Sequence, residues 1–202
     1  GLLVTDEREL SKLKPEDRYD PHAKDGISPR WLPGSAAATF CAQGDEHAGD
    51  GTVDETSQNA LAQMQKRMKK MNALSRSLPE PTLHGTDDPQ ILLIGWGSTK
   101  DTVLDALKSD ALQKVSIGYL HFTYLWPLKT ERLLALAKKA SNVILIEGNY
   151  QGQLGMLIRQ ETGLFIQDRI LKYDGRPFFV DELISLIASH TQTPKHSDSP
   201  PS

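Results

Sequence analysis

The chain has 202 residues, of which 38% are hydrophobic and 24% charged, and its 23 basic and 26 acidic side chains give a formal net charge of −3. This composition is that of a globular chain long enough for one buried core, and it excludes collagen-like, mucin-like and fully disordered classes. The slightly acidic balance gives no electrostatic reason to expect a nucleic acid or an anionic membrane as partner. No apolar run approaches the roughly 20 residues that span a bilayer.

The single cysteine, Cys41, and the first residues indicate the compartment. One cysteine excludes an internal disulfide framework and an all-cysteine metal or iron–sulfur site. The start of the chain lacks the basic and long apolar regions of a signal peptide. We therefore expect a cytoplasmic protein, and the absence of an initiator methionine indicates a piece of a longer polypeptide.

Residues 1–52 are predicted to form an irregular arm, because they are polar and repeatedly interrupted by proline and glycine. An arm of this length is unusual inside a compact domain, so it is either disordered alone or wrapped over a partner. Within it, Asp45-Glu46-His47 offers carboxylates and an imidazole to a divalent cation. The spacing matches neither a calcium loop nor a zinc site, so a polar turn before a helix is favoured over a metal site.

Residues 53–89 are predicted to form an amphipathic helix and a linker. Thr52 with Glu55 three residues later resembles a capping box at the start of the helix. Apolar residues then recur at spacings of three and four: Leu61, Met64, Met68 and Met71. We interpret this stripe as a packing seam rather than a ligand surface.

Four basic side chains lie mostly off the apolar stripe of this helix: Lys66, Arg67, Lys69 and Lys70. They could attract an anionic partner, but a solvated outer face is the favoured interpretation. Pro79 and Pro81 end the helix, and residues 79–89 are predicted to be a linker.

Residues 90–190 alternate between strand-like and helical patterns. Apolar runs start near residues 91, 115, 142 and 165, and a helical stretch follows each run. This spacing leaves room for a helical crossover and predicts an α/β domain: a mostly parallel sheet with flanking helices. The tail, residues 191–202, is rich in serine, threonine and proline and is predicted to be disordered.

The turn after the first apolar run contains the candidate binding residues Gly95, Gly97, Ser98 and Thr99. Ligands of open α/β sheets bind beyond the carboxyl ends of the strands, and the free N–H groups of a helix start attract phosphate or carboxylate. The alternative is a strand-to-helix turn that needs glycine only for its backbone geometry. A dinucleotide site is disfavoured because Lys100 stands where that motif has a small residue.

The remaining polar residues predict no catalytic residue and no metal ligand in this chain. His121 ends the second apolar run and is interpreted as a structural histidine. Glu147 and Asn149 follow the third run, where they could cap a helix or face a neighbouring subunit; capping is favoured. Cys41 has no nearby partner that would activate it as a nucleophile. The residues alone predict a scaffold.

A series of short motifs follows one another along residues 1 to about 188: Gly1-Leu2-Leu3, Asp25-Gly26-Ile27-Ser28-Pro29-Arg30, Leu32-Pro33-Gly34, Asp45-Glu46-His47, Lys66-Arg67-Met68, Leu93-Ile94-Gly95-Trp96-Gly97-Ser98-Thr99, Leu125-Trp126-Pro127, Glu147-Gly148-Asn149-Tyr150-Gln151-Gly152-Gln153-Leu154 and Ile170-Leu171-Lys172-Tyr173-Asp174-Gly175-Arg176-Pro177-Phe178. In this order they resemble the alpha subunit of 2-oxoacid:ferredoxin oxidoreductases, and most closely its 2-oxoglutarate branch.

The resemblance implies a multi-subunit enzyme that uses thiamine diphosphate, magnesium, an iron–sulfur cluster and coenzyme A. Such an enzyme converts a 2-oxoacid to acyl-CoA and CO2 and reduces ferredoxin. This chain looks like the C-terminal portion of the alpha subunit: a linker arm followed by a transketolase C-terminal-like domain. The resemblance therefore implies that the chain holds no cofactor, is inactive alone, and has the remainder of the alpha subunit and the beta subunit as partners.

Two hypotheses of different class follow. In the first, the chain is a structural part of such an oxidoreductase. In the second, it is a stand-alone binding module for a small anionic ligand at Gly95–Thr99. A dehydrogenase is disfavoured by Lys100 and by His121, which stands where a dinucleotide site has an acidic residue.

Overall fold

A computed structural model of the chain describes residues 3–191. The chain divides into two compact units, Gly1–Ser77 and Leu78–Ser202. Among the described residues, no helix combines the length and the apolar character needed to cross a membrane. The predicted disordered tail lies outside the described residues except for Thr191, which ends the last helix.

The first unit is built from helices and irregular segments. Its elements in chain order are α1 (Glu7–Leu10), two short 3-10 segments (Pro15–Arg18 and Lys24–Gly26) and α2 (Ser57–Ser77). The predicted capping box at Thr52 is wrong, because the hydroxyl and N–H of Thr52 both donate to the Asp50 carboxylate. Thr56 caps α2 instead: its hydroxyl accepts from the Asn59 N–H at 3.4 Å.

The arm packs on the polar face of α2 rather than on its apolar stripe. Gln63, 2% exposed, donates to the Tyr19 carbonyl oxygen at 3.2 Å. Arg67 forms a two-point ion pair with Glu46 at 2.9 and 2.6 Å while its side chain stays 43% exposed, so the predicted solvated face also contacts the arm. The apolar side chains Leu61, Met64 and Met68 remain more than half exposed. Their role as a packing seam stays a prediction.

A glycine allows the arm to approach α2 closely. Gly26 has φ +70°, and a Cβ there would lie 2.5 Å from the Lys66 carbonyl oxygen and 2.8 Å from the Lys70 nitrogen. Any side chain at this position would therefore collide with the helix backbone. The lack of a side chain at Gly26 therefore allows the arm to lie directly against the backbone of α2.

The second unit contains a sheet that, among the described residues, has five strands in the order β1-β3-β2-β4-β5. The strands are β1 (Thr82–Gly85), β2 (Ile91–Trp96), β3 (Ile117–Phe122), β4 (Asn142–Glu147) and β5 (Asp168–Leu171). The helices are α3 (Thr99–Ala106), α4 (Glu131–Lys139), α5 (Gln153–Thr162) and α6 (Val180–Thr191). The prediction of an α/β fold with a mostly parallel sheet is confirmed.

Strand β1 is the part of this sheet that the sequence did not predict. It lies within residues 79–89, which were predicted to be a linker, and pairs antiparallel with β3 at the sheet edge. The strand has four residues and none of them is buried. Its pairing, Leu83 opposite Leu120, is a tertiary contact, so the local pattern carries little strand signal.

Two apolar layers cover the faces of the sheet. On one face, Leu93 and Ile146 belong to the core that includes residues of α3 and α6. On the other face, Ile94 and Leu145 belong to the core that includes residues of α4 and α5. Alternate residues of β2 and β4 thus enter different layers, which is why both strands are continuous apolar runs.

Candidate functional site

The predicted binding residues lie around the turn between β2 and α3, at the carboxyl edge of the sheet: Gly95 within β2, Gly97 and Ser98 in the turn, and Thr99 at the start of α3. Gly97 has φ +63°, and a Cβ there would meet no heavy atom of the described residues within 4 Å. Glycine at this position therefore serves the backbone conformation, and the space above the turn is open. Gly95 is different, because a Cβ would lie 3.0 Å from the Tyr119 hydroxyl.

The two hydroxyl residues of this turn have different environments. Thr99 Oγ1 donates to the Trp96 carbonyl oxygen at 2.9 Å, which closes the turn onto itself. Ser98 stands at the start of α3, is exposed, and makes no side-chain capping bond to the helix. The structure thus places Gly97 and Ser98 accessibly in the turn, Gly95 buried in β2 and Thr99 at the start of α3. Their role in binding an anion stays a prediction.

Glu147 anchors the neighbouring turn. Its side chain belongs to a residue only 1% exposed, at the end of β4. Its two carboxylate oxygens accept from four donors: Trp96 Nε1 at 3.1 Å, Asn149 Nδ2 at 2.6 Å, and the backbone N–H groups of Leu154 and Gly155 at 3.2 Å each. A carboxylate at this place complements the positive end of α5. The prediction that Glu147 and Asn149 cap this helix is confirmed.

Asn149 completes the turn before α5. Its Oδ1 accepts from the backbone N–H groups of Gly152 at 2.7 Å and Gln153 at 3.3 Å. The Trp96 indole, bonded to Glu147, connects this turn to the β2–α3 turn. The carboxyl edge of the sheet is therefore a hydrogen-bonded framework of the chain's own groups.

Three rings lie under the β2–α3 turn, on the side of the sheet that carries α3. Tyr119 is fully buried, and its ring centroid lies 6.1 Å from that of His84 and 5.9 Å from that of His121. His121 Nε2 lies 3.3 Å from the Gly97 carbonyl oxygen. Sequence reasoning missed His84 and Tyr119; the two-residue spacing of Tyr119 and His121, which places them on one face of β3, was the available signal.

Burial controls the protonation of these rings. It raises the pKa of Tyr119 to about 12 and is the main cause that lowers the pKa values of His84 and His121 below their ordinary 6.5. The nearby Lys100 ammonium lowers both histidine pKa values further. Neutral His121 donates its Nε2–H to the Gly97 carbonyl, because that oxygen only accepts. His121 is thus bonded to the turn itself, as expected of a structural histidine.

The Asp45-Glu46-His47 segment is used in packing the first unit. Glu46 pairs with Arg67, and the His47 carbonyl oxygen accepts from Asn59 Nδ2 at 2.9 Å. Within residues 3–191, no group of three or more histidine, cysteine, aspartate or glutamate side chains stands together in a way that could hold a metal ion.

Known proteins resemble both the sequence and the fold. No family model matches the chain. It is 36% identical over 163 residues to 2-oxoacid:ferredoxin oxidoreductase 1, subunit alpha, of Aeropyrum pernix, with 78% of this chain and 25% of the relative covered. The corresponding subunit of Sulfurisphaera tokodaii is 31% identical over 197 residues, with coverages of 91% and 31%. The resemblance to these alpha subunits is confirmed.

A solved structure supports the same relationship. The 2-oxoglutarate:ferredoxin oxidoreductase of Magnetococcus marinus, with 2-oxoglutarate, coenzyme A and succinyl-CoA bound, aligns with a TM-score of 0.74 at 26% identity. The alignment covers 86% of this chain and 30% of that one. The chain spans about a quarter to a third of the length of the alpha subunits it matches.

Four of the motifs on which the predicted resemblance rests occupy framework positions in this structure. One motif carries Gly26, which the arm needs for its approach to α2. Two others supply the Glu46–Arg67 ion pair. A fourth begins with Glu147, the buried anchor of the carboxyl edge. These motif residues therefore contribute to the packing of each unit.

Proposed function

We propose that the chain is the C-terminal part of the alpha subunit of a thiamine-diphosphate-dependent 2-oxoacid:ferredoxin oxidoreductase. The parent complex converts 2-oxoglutarate and coenzyme A to succinyl-CoA and CO2 and reduces ferredoxin. The observation that carries this proposal is the alignment, over 86% of the chain, to a 2-oxoglutarate:ferredoxin oxidoreductase with 2-oxoglutarate, coenzyme A and succinyl-CoA bound. The cytoplasm is its proposed location.

Within the parent complex, this part has a structural and assembly role. Its buried carboxylate, Glu147, is bonded to four donors of the chain, and its buried His121 is bonded to the Gly97 carbonyl. These groups hold backbone in place and are not poised for proton transfer to a substrate. We assign no catalytic step to the chain.

The cofactors of the parent complex belong to its other parts in this proposal. The described residues offer no donor set of three or more metal-binding side chains that would fit magnesium or an iron–sulfur cluster. The partners are the remainder of the alpha subunit and the beta subunit, with coenzyme A and ferredoxin bound by the assembled complex.

Reconstitution tests the proposal. The 202-residue chain is mixed with the separately produced remainder of the alpha subunit and with the beta subunit, and reduction of a viologen dye by 2-oxoglutarate and coenzyme A is followed. We expect a complex in a pull-down, activity only in the complete mixture, and no heat of thiamine diphosphate binding to the chain alone. Tight thiamine diphosphate binding to the isolated chain, or failure to assemble, contradicts the proposal.

The second candidate is a binding module for a small anionic ligand at Gly95, Gly97, Ser98 and Thr99. The open space above Gly97 and the uncommitted cap position of Ser98 favour it. A thermal shift with phosphate, coenzyme A or a nucleotide that Gly97→Val abolishes supports the module. Gly175→Val is the matched control, because Gly175 also has a positive φ, +81°, and open space. If both variants respond to the ligand as the parent chain does, the module is excluded.

A further inference from the structure

The first unit contains a surface cavity of about 220 Å³ between the arm and α2. Its lining residues are Pro21, His22, Ala62, Gln65, Lys66 and Lys69. Pockets for drug-sized ligands occupy roughly 300–1,000 Å³, so this cavity suits a smaller group. Two of its lining residues, Lys66 and Lys69, carry ammonium groups, and none carries a carboxylate.

The charge in this cavity is positive and incompletely balanced. Helix α2 contains no acidic residue. Lys69 Nζ donates to the Ala23 carbonyl oxygen at 3.0 Å, which holds its ammonium beside the cavity without neutralising it. Lys66 is half-buried, and among the described residues no carboxylate lies within 4 Å of its Nζ.

Asp20 is the acid whose charge acts on Lys66, and its carboxylate already accepts a hydrogen bond. Asp20 Oδ1 accepts from the His22 N–H at 2.8 Å, closing the turn that forms the arm side of the cavity. Its charge favours the ammonium form of Lys66, while Lys70 and Arg67 oppose that form. The ammonium therefore has long-range attraction to one carboxylate but no ion-pair partner in contact.

Burial makes this lysine responsive to an anion. It lowers the pKa of Lys66 to about 8, so the side chain is still mainly protonated at pH 7. A charge that has lost part of its hydration is also less screened, and its attraction to an opposite charge in contact is stronger than in bulk water. An oxyanion in the cavity would replace the lost hydration of the ammonium.

We propose that this cavity binds a small oxyanion, the carboxylate or phosphate group of a ligand, held by the Lys66 ammonium with Lys69 and the exposed His22 at its rim. The inference stands apart from the proposed function, because it concerns the first unit alone and does not depend on the parent reaction. In this proposal, the anion contacts the Lys66 ammonium and accepts a hydrogen bond from the side-chain amide of Gln65, which also lines the cavity.

Titration of Lys66 in the full 202-residue chain tests this site. The Lys66 side-chain resonance is followed against pH by NMR with ¹³C-labelled lysine, in inorganic phosphate, in acetate, and in chloride of equal ionic strength. We expect phosphate or acetate to raise the titration midpoint of Lys66 by about one pKa unit, a tenfold change in proton affinity. The comparison of phosphate with acetate shows which oxyanion the cavity prefers.

Two variants show whether the effect is local. Lys66→Met should weaken phosphate binding at least about tenfold, as loss of a contacting charge does. Lys12→Met is the control, since Lys12 is an exposed lysine of the same unit outside the cavity lining, and it should change binding less than about twofold. An unchanged Lys66 midpoint in both anions, or equal weakening by the two variants, overturns the proposal.

Discussion

Glu147 shows how one side chain can fix two turns. Its carboxylate accepts hydrogen bonds from the Trp96 indole, from Asn149 and from two N–H groups at the start of α5. Hydrogen bonds to a buried charged group contribute about 1.5–3 kcal/mol each, and removing the acceptor leaves the donors unsatisfied. The residue therefore belongs to the stability of the carboxyl edge rather than to chemistry on a ligand.

We predict that Glu147→Ala lowers the free energy of unfolding of the second unit by about 3 kcal/mol. Urea unfolding followed by circular dichroism measures the change. The control is Glu161→Ala on α5, the helix that Glu147 caps, where the glutamate is exposed, and its effect should stay within about 0.5 kcal/mol. Equal losses in the two variants would show that the four hydrogen bonds do not carry the stability.

The histidines beside Tyr119 give the second unit a defined pH dependence. Their folded pKa values lie below 6.5, mainly through burial, so the unfolded chain binds protons that the folded chain does not. Stability is then complete above pH 6.5 and falls as the pH drops from there through the folded pKa values. Carboxylates with lowered pKa values, such as Glu182, act at still lower pH.

We predict that amide exchange in β3 accelerates as the pH falls from 6.5 to about 5, after correction for the intrinsic exchange rate. The double variant His84→Phe with His121→Asn should flatten this dependence, because neither new side chain titrates there and asparagine keeps a donor for the Gly97 carbonyl. The control variant His22→Asn removes an exposed imidazole of the first unit and should leave the pH dependence of exchange in β3 unchanged. A slope that survives in the double variant contradicts the assignment.

At the scale of elements, the arm and α2 are fitted by a close backbone approach. We predict that Gly26→Ala destabilises the first unit by more than about 2 kcal/mol, since the new Cβ would collide with helix backbone as well as adopt an unfavourable φ. Gly34→Ala is the matched control, because Gly34 has φ +80° with open space and loses only about 1 kcal/mol. Hydrogen exchange of α2 compares the two, and equal effects would exclude the collision.

The same elements show what a sequence pattern can and cannot predict. The apolar runs that become β2 and β4 are buried on both faces, so they are visible without any tertiary information. The contacts of α2 with the arm were not predicted, because they are polar: Gln63 bonds to a carbonyl and Arg67 to a carboxylate, groups that the helix pattern does not contain. The amphipathic pattern of a helix indicates which face is apolar, and it does not indicate polar contacts on the opposite face.

In the candidate site, too, the local features were predicted from the sequence and the contacts between distant residues were not. The turn after β2 was predicted from the glycines at the end of that buried strand. Glu147 was predicted to cap a helix because it stands at the end of β4, another buried strand. The bond from Glu147 to Trp96 joins residues 51 positions apart, and the His84–Tyr119 contact depends on the pairing of β1 with β3. Such contacts arise from topology, which local spacing does not specify.

At the scale of the whole molecule, the exposed apolar stripe of α2 is the clearest sign that this chain meets another. Leu61, Met64 and Met68 keep 61, 52 and 53% of their surface accessible although they repeat at helical spacing. Methionine is enriched at protein interfaces, where its flexible side chain fills irregular gaps. In the proposed complex, the remainder of the alpha subunit covers this stripe.

We predict that the double variant Met64→Lys with Met68→Lys prevents the chain from joining the remainder of the alpha subunit. Two ammonium groups would have to be buried without partners, which should weaken the complex by more than about tenfold. The isolated variant should unfold at the same urea concentration as the parent chain, because both positions are already exposed. Ser77→Lys, at an exposed position of the same helix on the face opposite Met68, is the control and should still assemble. Retained assembly of the double variant, measured by pull-down and viologen reduction, would place the contact elsewhere on the chain.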